Sequence, residues 1–163
     1  MQRKVLLAVP VIVAIAVVMA VIIAVMPIIK QYNGTQIEYE TREITIDGVK
    51  LTVEIADDSE KIAKGLMFRE GLHFDRGMLF VFEREHKYQF WMMNMKFKLD
   101  IIWLDTTGKV VHIVENAEPC IDEAHTSLCT YNPDTPAKYV LEVNSGFVKK
   151  YGINENSVMQ IPS

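Results

Sequence analysis

At 163 residues the chain is of one-domain length once its N-terminus is set aside. Arg3, Lys4 and Lys30 are the only charged residues up to position 30, which leaves 14 of the 17 basic residues against all 21 acidic ones, a net of −7 beyond that point within an overall −4. So acidic a body excludes a nucleic-acid backbone as partner, because no basic patch can dominate it, and argues against its lying on an anionic lipid surface.

From Val5 to Ile29 there is no charged or amide side chain. A helix of about 25 residues spans roughly 37 Å, enough to cross a hydrocarbon core of about 30 Å with some tilt. Pro10 and Pro27 lie near its ends, where a lost helix hydrogen bond costs least. The run is well beyond the 7–15 residues of a signal-peptide core, and its one Ala-x-Ala pattern, Ala14–Ala16, falls inside it rather than after it. The expectation is therefore an uncleaved anchor over residues 1–30, contacting the membrane through residues 5–29 as a single pass. Residues 31–36 form a short polar linker and residues 37–163 a soluble β-rich domain.

EYETREITI-DG-VKLTVEIA reads as a β-hairpin: both arms alternate apolar and polar residues, and Asp47-Gly48 is a type I′ turn signal. Asp58 or Ser59 can cap a short helix running to about Gly65. Further strands are expected at Met78–Phe82, Gln89–Met92, Asp100–Leu104, Val110–Val114, Tyr139–Val143 and Val158–Ile161, with Thr106-Thr107-Gly108 as a turn between two of them. Asn144 can cap a helix over SGFVKK that stops at Gly152. Short strands at roughly even spacing predict a mainly β fold, a compact antiparallel barrel or sandwich with one or two short helices, preceded by the single transmembrane helix.

The two cysteines, Cys120 and Cys129, flank IDEAHTSL in a stretch ending in turn residues. A disulfide suits them if the compartment is oxidising. Free thiols are a second state. The third is a metal held as C-x4-H-x3-C with His125, although three ligands fall short of a closed zinc site. The cysteine pair, a slight excess of positive charge before the span and the sequon Asn33-Gly34-Thr35, a glycosylation candidate at Asn33, point to a domain outside the cytoplasm.

No G-x-S-x-G, H-E-x-x-H or P-loop occurs, and His73, His86, His112 and His125 have no metal-ligand spacing. Asn94 and Asp100 are polar residues set in apolar surroundings. On the structural account Asn94 shapes a turn and Asp100 accepts backbone hydrogen bonds. On the functional account Arg69, Trp91, Asn94 and Asp100, with Glu142 as a further candidate, rim a ligand pocket. Arg69 can alternatively be the ion-pair partner of Asp100 or Glu142.

Six strings occur in order: Gly65-Leu66-Met67-x-Arg69-x-x-Leu72, Gly77-Met78-Leu79-Phe80-x-Phe82, Phe90-Trp91-Met92-x-Asn94, Leu99-Asp100-Ile101, Pro119-Cys120 and Tyr139-Val140-Leu141-Glu142. Together they resemble the family called domain of unknown function 192, over about positions 43 to 161. The resemblance implies a β-rich, barrel-like fold and members that often carry a signal or membrane anchor; it implies no established reaction. The chain departs from that family's Gly-Asp near the C-terminus, having Glu155-Asn156, so Asn156 is expected to supply the positive φ there.

The reading is thus a membrane-tethered extracytoplasmic module that binds an unidentified small ligand or envelope partner, with no catalytic residue, metal or cofactor assigned. The alternative is an extracytoplasmic hydrolase with a carboxylate site (Asp100 with Asp105 or Glu142) or a Cys120 nucleophile beside His112 or His125.

Overall fold

A computed structural model describes residues 13–26, 37–120 and 129–160. The chain divides into two units, Met1–Glu38 and Tyr39–Ser163. In the first, residues 13–26 form a helix, α1, made wholly of apolar residues. Among the described residues no helix is long and apolar enough to cross a membrane. The rest of the Val5–Ile29 run, the linker and the Asn33 sequon lie outside the described residues, as does His125 between the cysteines.

In the second unit β1 (Thr41–Ile46) and β2 (Val49–Ala56) pair antiparallel. Their turn residues Asp47 (φ 49°) and Gly48 (φ 81°) both have positive φ, as a type I′ turn requires. Helix α2 (Ser59–Lys64) is capped by Asp58, whose carboxylate accepts the Lys61 N–H, and ends at Gly65. It carries the chain back so that β3 (Arg76–His86) runs parallel to β2. The sheet is therefore mixed rather than the purely antiparallel one expected, because the expected short helix serves as a crossover between two parallel strands.

Strands β5 (Leu99–Leu104), β6 (Val110–Ala117) and β8 (Ala137–Asn144) complete the broad part of the sheet, and β9 (Met159–Gln160) is added beside β1. The order is β6-β5-β8-β3-β2-β1-β9. A separate ribbon joins β4 (Phe90–Trp91) to β7 (Thr130–Tyr131); β7, two residues long, carries no alternation from which it could be predicted.

The sheet curls into a half-barrel until its two ends touch. The Val110 N–H donates to the Ser157 carbonyl and the Met159 N–H to the Gly108 carbonyl, at 3.0 and 2.8 Å. Ile46 and Met159 from one end and Leu104 and Val110 from the other join a single buried cluster with Leu141, Val143 and Phe147. That cluster fills the inside of the curl. The opposite face of β3, β8 and β5 carries a second core, built from Met78, Phe80, Phe90, Ile101, Trp103 and Val140.

Helix α3 (Phe147–Tyr151) ends at Gly152 as expected, but Gly146, not Asn144, occupies its N-cap. Asn144 is the last residue of β8, too early to reach the helix, and its amide donates instead to the Leu72 and His73 carbonyls, both at 3.0 Å. Asn156 has no positive φ. The turn before β9 is built around Asn154, whose side-chain oxygen accepts the Asn156 N–H at 2.9 Å and whose carbonyl accepts the Ser157 N–H at 2.8 Å.

Candidate functional site

Strand register decides which polar residues can meet. Met78 on β3 stands opposite Glu142 on β8, Glu142 opposite Ile101 on β5, and Glu54 on β2 level with Met78. Residues in register share a face. Glu54, Met78, Glu142 and Ile101 therefore form one row across four strands, on the face of the second core.

Asp100 is in register with Val143, one position off this row, and so points into the curl instead. There its carboxylate accepts two backbone N–H groups, from Asn116 and from Val148, each at 2.9 Å. Asn116 is a non-glycine residue at φ 56° in an irregular stretch of β6, and Val148 lies in the first turn of α3. Asp100 thus ties a strand irregularity and a helix start to the central sheet, and is fully buried in doing so. The parity of β5 excludes it from a pocket with Arg69 or Glu142.

Arg69 pairs with neither Asp100 nor Glu142. Its guanidinium meets Glu54 in a two-pronged contact, Nη1 to Oε1 at 2.6 Å and Nη2 to Oε2 at 2.7 Å. The Tyr39 ring lies with its centroid 5.5 Å from the guanidinium carbon. Asn94 follows the structural one of its two accounts: it adopts φ 57°, and its carbonyl accepts the N–H of Phe68, itself at φ 66°. Two non-glycine residues in the left-handed region, joined by a 2.9 Å hydrogen bond, mark local backbone strain beside the site.

The concavity on this face lies between α2, β3 and β4 and has a volume of about 190 Å³. Glu142 is the one acidic residue lining it, and Trp91, half exposed, forms part of its rim. Phe80, Phe82, Tyr88 and Phe90 supply aromatic wall, and Met67 and Met95 thioethers. Phe90 meets both Phe80 and Trp103 edge-on, with centroids 4.8 and 5.8 Å apart, so the wall is continuous with the second core. Of the five ligand-binding candidates, the structure brings Trp91 and Glu142 to the cavity; Arg69, Asn94 and Asp100 do not line it.

Glu142 is 5% exposed, and among the described residues its carboxyl has no hydrogen-bond partner. Burial pushes its pKa up to about 8, against the opposing pull of Arg69. At neutral pH it is a protonated acid in an apolar recess, able to donate one hydrogen bond and accept others. Sequence reasoning missed the aromatic wall, although the alternation of Met78, Phe80 and Phe82 along β3 already placed all three on one face.

Cys120 and Cys129 are disulfide-bonded, with Cα atoms 5.5 Å apart. Met92, just after β4, is held between their backbones: its N–H donates to the Cys129 carbonyl, and its carbonyl accepts the Cys120 N–H. Among the described residues no group of three or more His, Cys, Asp or Glu side chains could hold a metal ion.

Comparison with known proteins locates the chain. No curated protein matches it. A crystal structure from Sinorhizobium meliloti 1021, provisionally described as a transcription regulator, is 30% identical with a TM-score of 0.70, covering 78% of this chain and 98% of its own. A protein of unknown function from Novosphingobium aromaticivorans DSM 12444 is 31% identical with a TM-score of 0.65, covering 74% of this chain and 84% of its own. Residues 42–161 match the family model DUF192, described as an uncharacterized ACR. The chain belongs to the domain of unknown function 192 family.

Proposed function

We propose that this protein is a membrane-tethered, extracytoplasmic binding module whose ligand enters the cavity above Glu142. The observation that carries the reading is a buried carboxyl without a partner in an aromatic-walled recess. A carboxyl this poorly solvated, reached only through the cavity, gains from a hydrogen bond that a ligand entering there would supply.

The tether is supported by the charge-free run from Val5 to Ile29 and by α1. A helix apolar all round belongs in hydrocarbon or in the interior of a large protein, and this chain is small. The extracytoplasmic side is supported by the Cys120–Cys129 bond, a state typical of oxidising compartments.

The hydrolase reading has less support. Cys120 is bonded and supplies no thiolate, Asp100 is committed to two backbone N–H groups on the other face, and Glu54 is occupied by Arg69. The description of the Sinorhizobium relative is not carried over, because the body of this chain is net acidic.

The test is to purify the full chain from host membranes and identify by mass spectrometry what accompanies it. Glu142→Gln and Trp91→Ala are expected to lose the bound molecule while Lys50→Ala, remote on β2, retains it; retention by all three rules out the cavity. Labelling of the reduced cysteines from outside intact cells tests the topology, and protection of both from an impermeant reagent reverses it.

A further inference from the structure

The cavity's chemistry narrows what it takes. We propose that it binds a primary ammonium group on a short apolar stem, either a free alkylamine or a lysine side chain of a partner peptide. This rests on the binding reading above.

Three observations carry it. The first is Glu142 itself, a residue 5% exposed that lines the cavity and whose carboxyl makes no hydrogen bond among the described residues. An ammonium supplies three donors to such a group and a charge to match it once it ionises. The second is the wall. Phe80, Phe82, Tyr88, Phe90 and Trp91 present aromatic rings, whose electron-rich faces attract a cation, and they are apolar enough to take an alkyl stem.

The third is size. About 190 Å³ lies below the range of roughly 300–1,000 Å³ usual for small-molecule sites and corresponds to about six waters. That suits a stem of four or five atoms bearing a nitrogen, the dimensions of a lysine side chain.

The protein's own nearby cations do not compete. Arg69 is held by both oxygens of Glu54, and Lys64, although it lines the cavity, has its ammonium 4.7 Å from the centroid of the Phe68 ring. Around Glu142 the charged and titratable groups on neighbouring elements are Arg69 after α2, Glu54 on β2, Lys64 at the end of α2, Tyr88 before β4 and Tyr39 before β1; β3 and β5 present Met78 and Ile101. Arg69 and Glu54 neutralise each other, and with the Lys64 ammonium turned to the Phe68 ring an ionised Glu142 is the one carboxylate left for an entering ammonium to meet in the cavity.

A proton must leave Glu142 for that ion pair to form, so binding of the amine and of the proton exclude each other. The affinity therefore rises with pH up to the carboxyl's own titration, while an alkylammonium stays charged to well above pH 9. A neutral ligand that uses the protonated acid shows the opposite trend.

The experiment uses the full chain in lipid nanodiscs and follows binding by calorimetry. The ligands are n-butylammonium chloride, the isosteric neutral 1-butanol, and Nα-acetyl-lysine amide. Expected is binding of both amines at least about tenfold tighter than 1-butanol, an affinity rising about fifty-fold from pH 6 to pH 8, and at least a tenfold loss at pH 8 in Glu142→Gln. Tighter binding of the lysine derivative assigns the source to a peptide, and tighter binding of n-butylammonium to a small amine.

If 1-butanol binds as well as the amine, or if affinity falls as pH rises, the ammonium class is overturned while the cavity reading stands. If none of the three binds a chain whose thermal unfolding is intact, both fail. Trp91→Ala, a rim change at a half-exposed residue, gives a second variant should Glu142→Gln fold poorly; undiminished amine binding in it also overturns the proposal.

Discussion

Arg69 grips Glu54 by both carboxylate oxygens, at 2.6 and 2.7 Å, on the same sheet face as Glu142. Both side chains retain some exposure, 29% and 23%, so the pair lies between a surface ion pair of negligible worth and a fully buried one. Arg69→Ala is expected to cost about 1–3 kcal/mol in urea unfolding. Arg69→Lys keeps the charge without the fork and loses part of that. Removing Arg69 also removes the field that holds Glu142's pKa down, so the Glu142 titration should move further up. A loss below about 0.5 kcal/mol would mean the fork adds little.

Glu142 makes stability depend on pH in a direction unusual for a carboxylate. The unfolded chain gives up this proton near 4.5, whereas the folded chain holds it to about pH 8. Between those values the folded state binds more protons, so the contribution of this group is full below about 4.5 and falls as pH rises through 8. The slope is at most about 1.4 kcal/mol per pH unit. Glu142→Gln, which never ionises, should match the parent below about pH 4.5 and exceed its thermal midpoint by a growing margin up to pH 8. Parallel pH profiles for the two proteins would show that Glu142 titrates normally.

How far the sequence disclosed this molecule depended on whether the signal was local. The β1–β2 hairpin was legible because Asp47-Gly48 and the alternation on either side act within a dozen residues. The caps Asp58, Gly65 and Gly152 were legible for the same reason. Sheet order was not, since nothing near β2 announces that β3 lies parallel to it. The site suffered most from this. Asp100 and Glu142 both read as polar residues in apolar strands, and only the register of Asp100 with Val143 and of Ile101 with Glu142 reveals that they face opposite ways. Arg69, in the connection between α2 and β3, meets Glu54 on β2, 15 positions earlier, a contact that local pattern could not reveal.

Asp100 should behave as an architectural residue. Asp100→Ala leaves the buried Val148 N–H and the Asn116 N–H without their acceptor, at a cost of about 2–4 kcal/mol. Asp100→Asn keeps one acceptor oxygen and should cost less. Both variants, compared below their unfolding transitions, should bind at the cavity as the parent does, because Asp100 faces the other core. A selective loss of binding in Asp100→Asn, with stability preserved, would place it in the site after all.

Gly108 lets the ends of the curled sheet meet. Its φ is +82°, and a Cβ there would stand 2.3 Å from the Met159 carbonyl oxygen, whose residue donates its own N–H to the Gly108 carbonyl. Gly108→Ala combines left-handed strain with a backbone clash and should cost about 1–3 kcal/mol. The damage should be local: faster hydrogen exchange at the Met159 and Val110 N–H groups, with the β3–β8 pairs unchanged. Uniform protection across the sheet would mean that the β9 segment shifts without strain.

The disulfide connects stability to the cavity. Cys120 and Cys129 clasp Met92 between their backbones, and Met92 directly follows the two residues of β4, Phe90 and Trp91, that form part of the cavity wall. A two-residue ribbon such as β4–β7 has too few hydrogen bonds to hold itself. Paired Cys120→Ser and Cys129→Ser changes should therefore lower stability by about 2–3 kcal/mol, mainly through the freer unfolded chain. They should also weaken ligand binding several-fold at temperatures where the protein stays folded, because the wall that carries Trp91 loses its clasp. Stability and binding should fall together on reduction and recover together on reoxidation. Lower stability with unchanged binding would assign the bond to the unfolded state alone and leave the wall to be held by Phe90, whose ring is packed edge-on between Phe80 and Trp103.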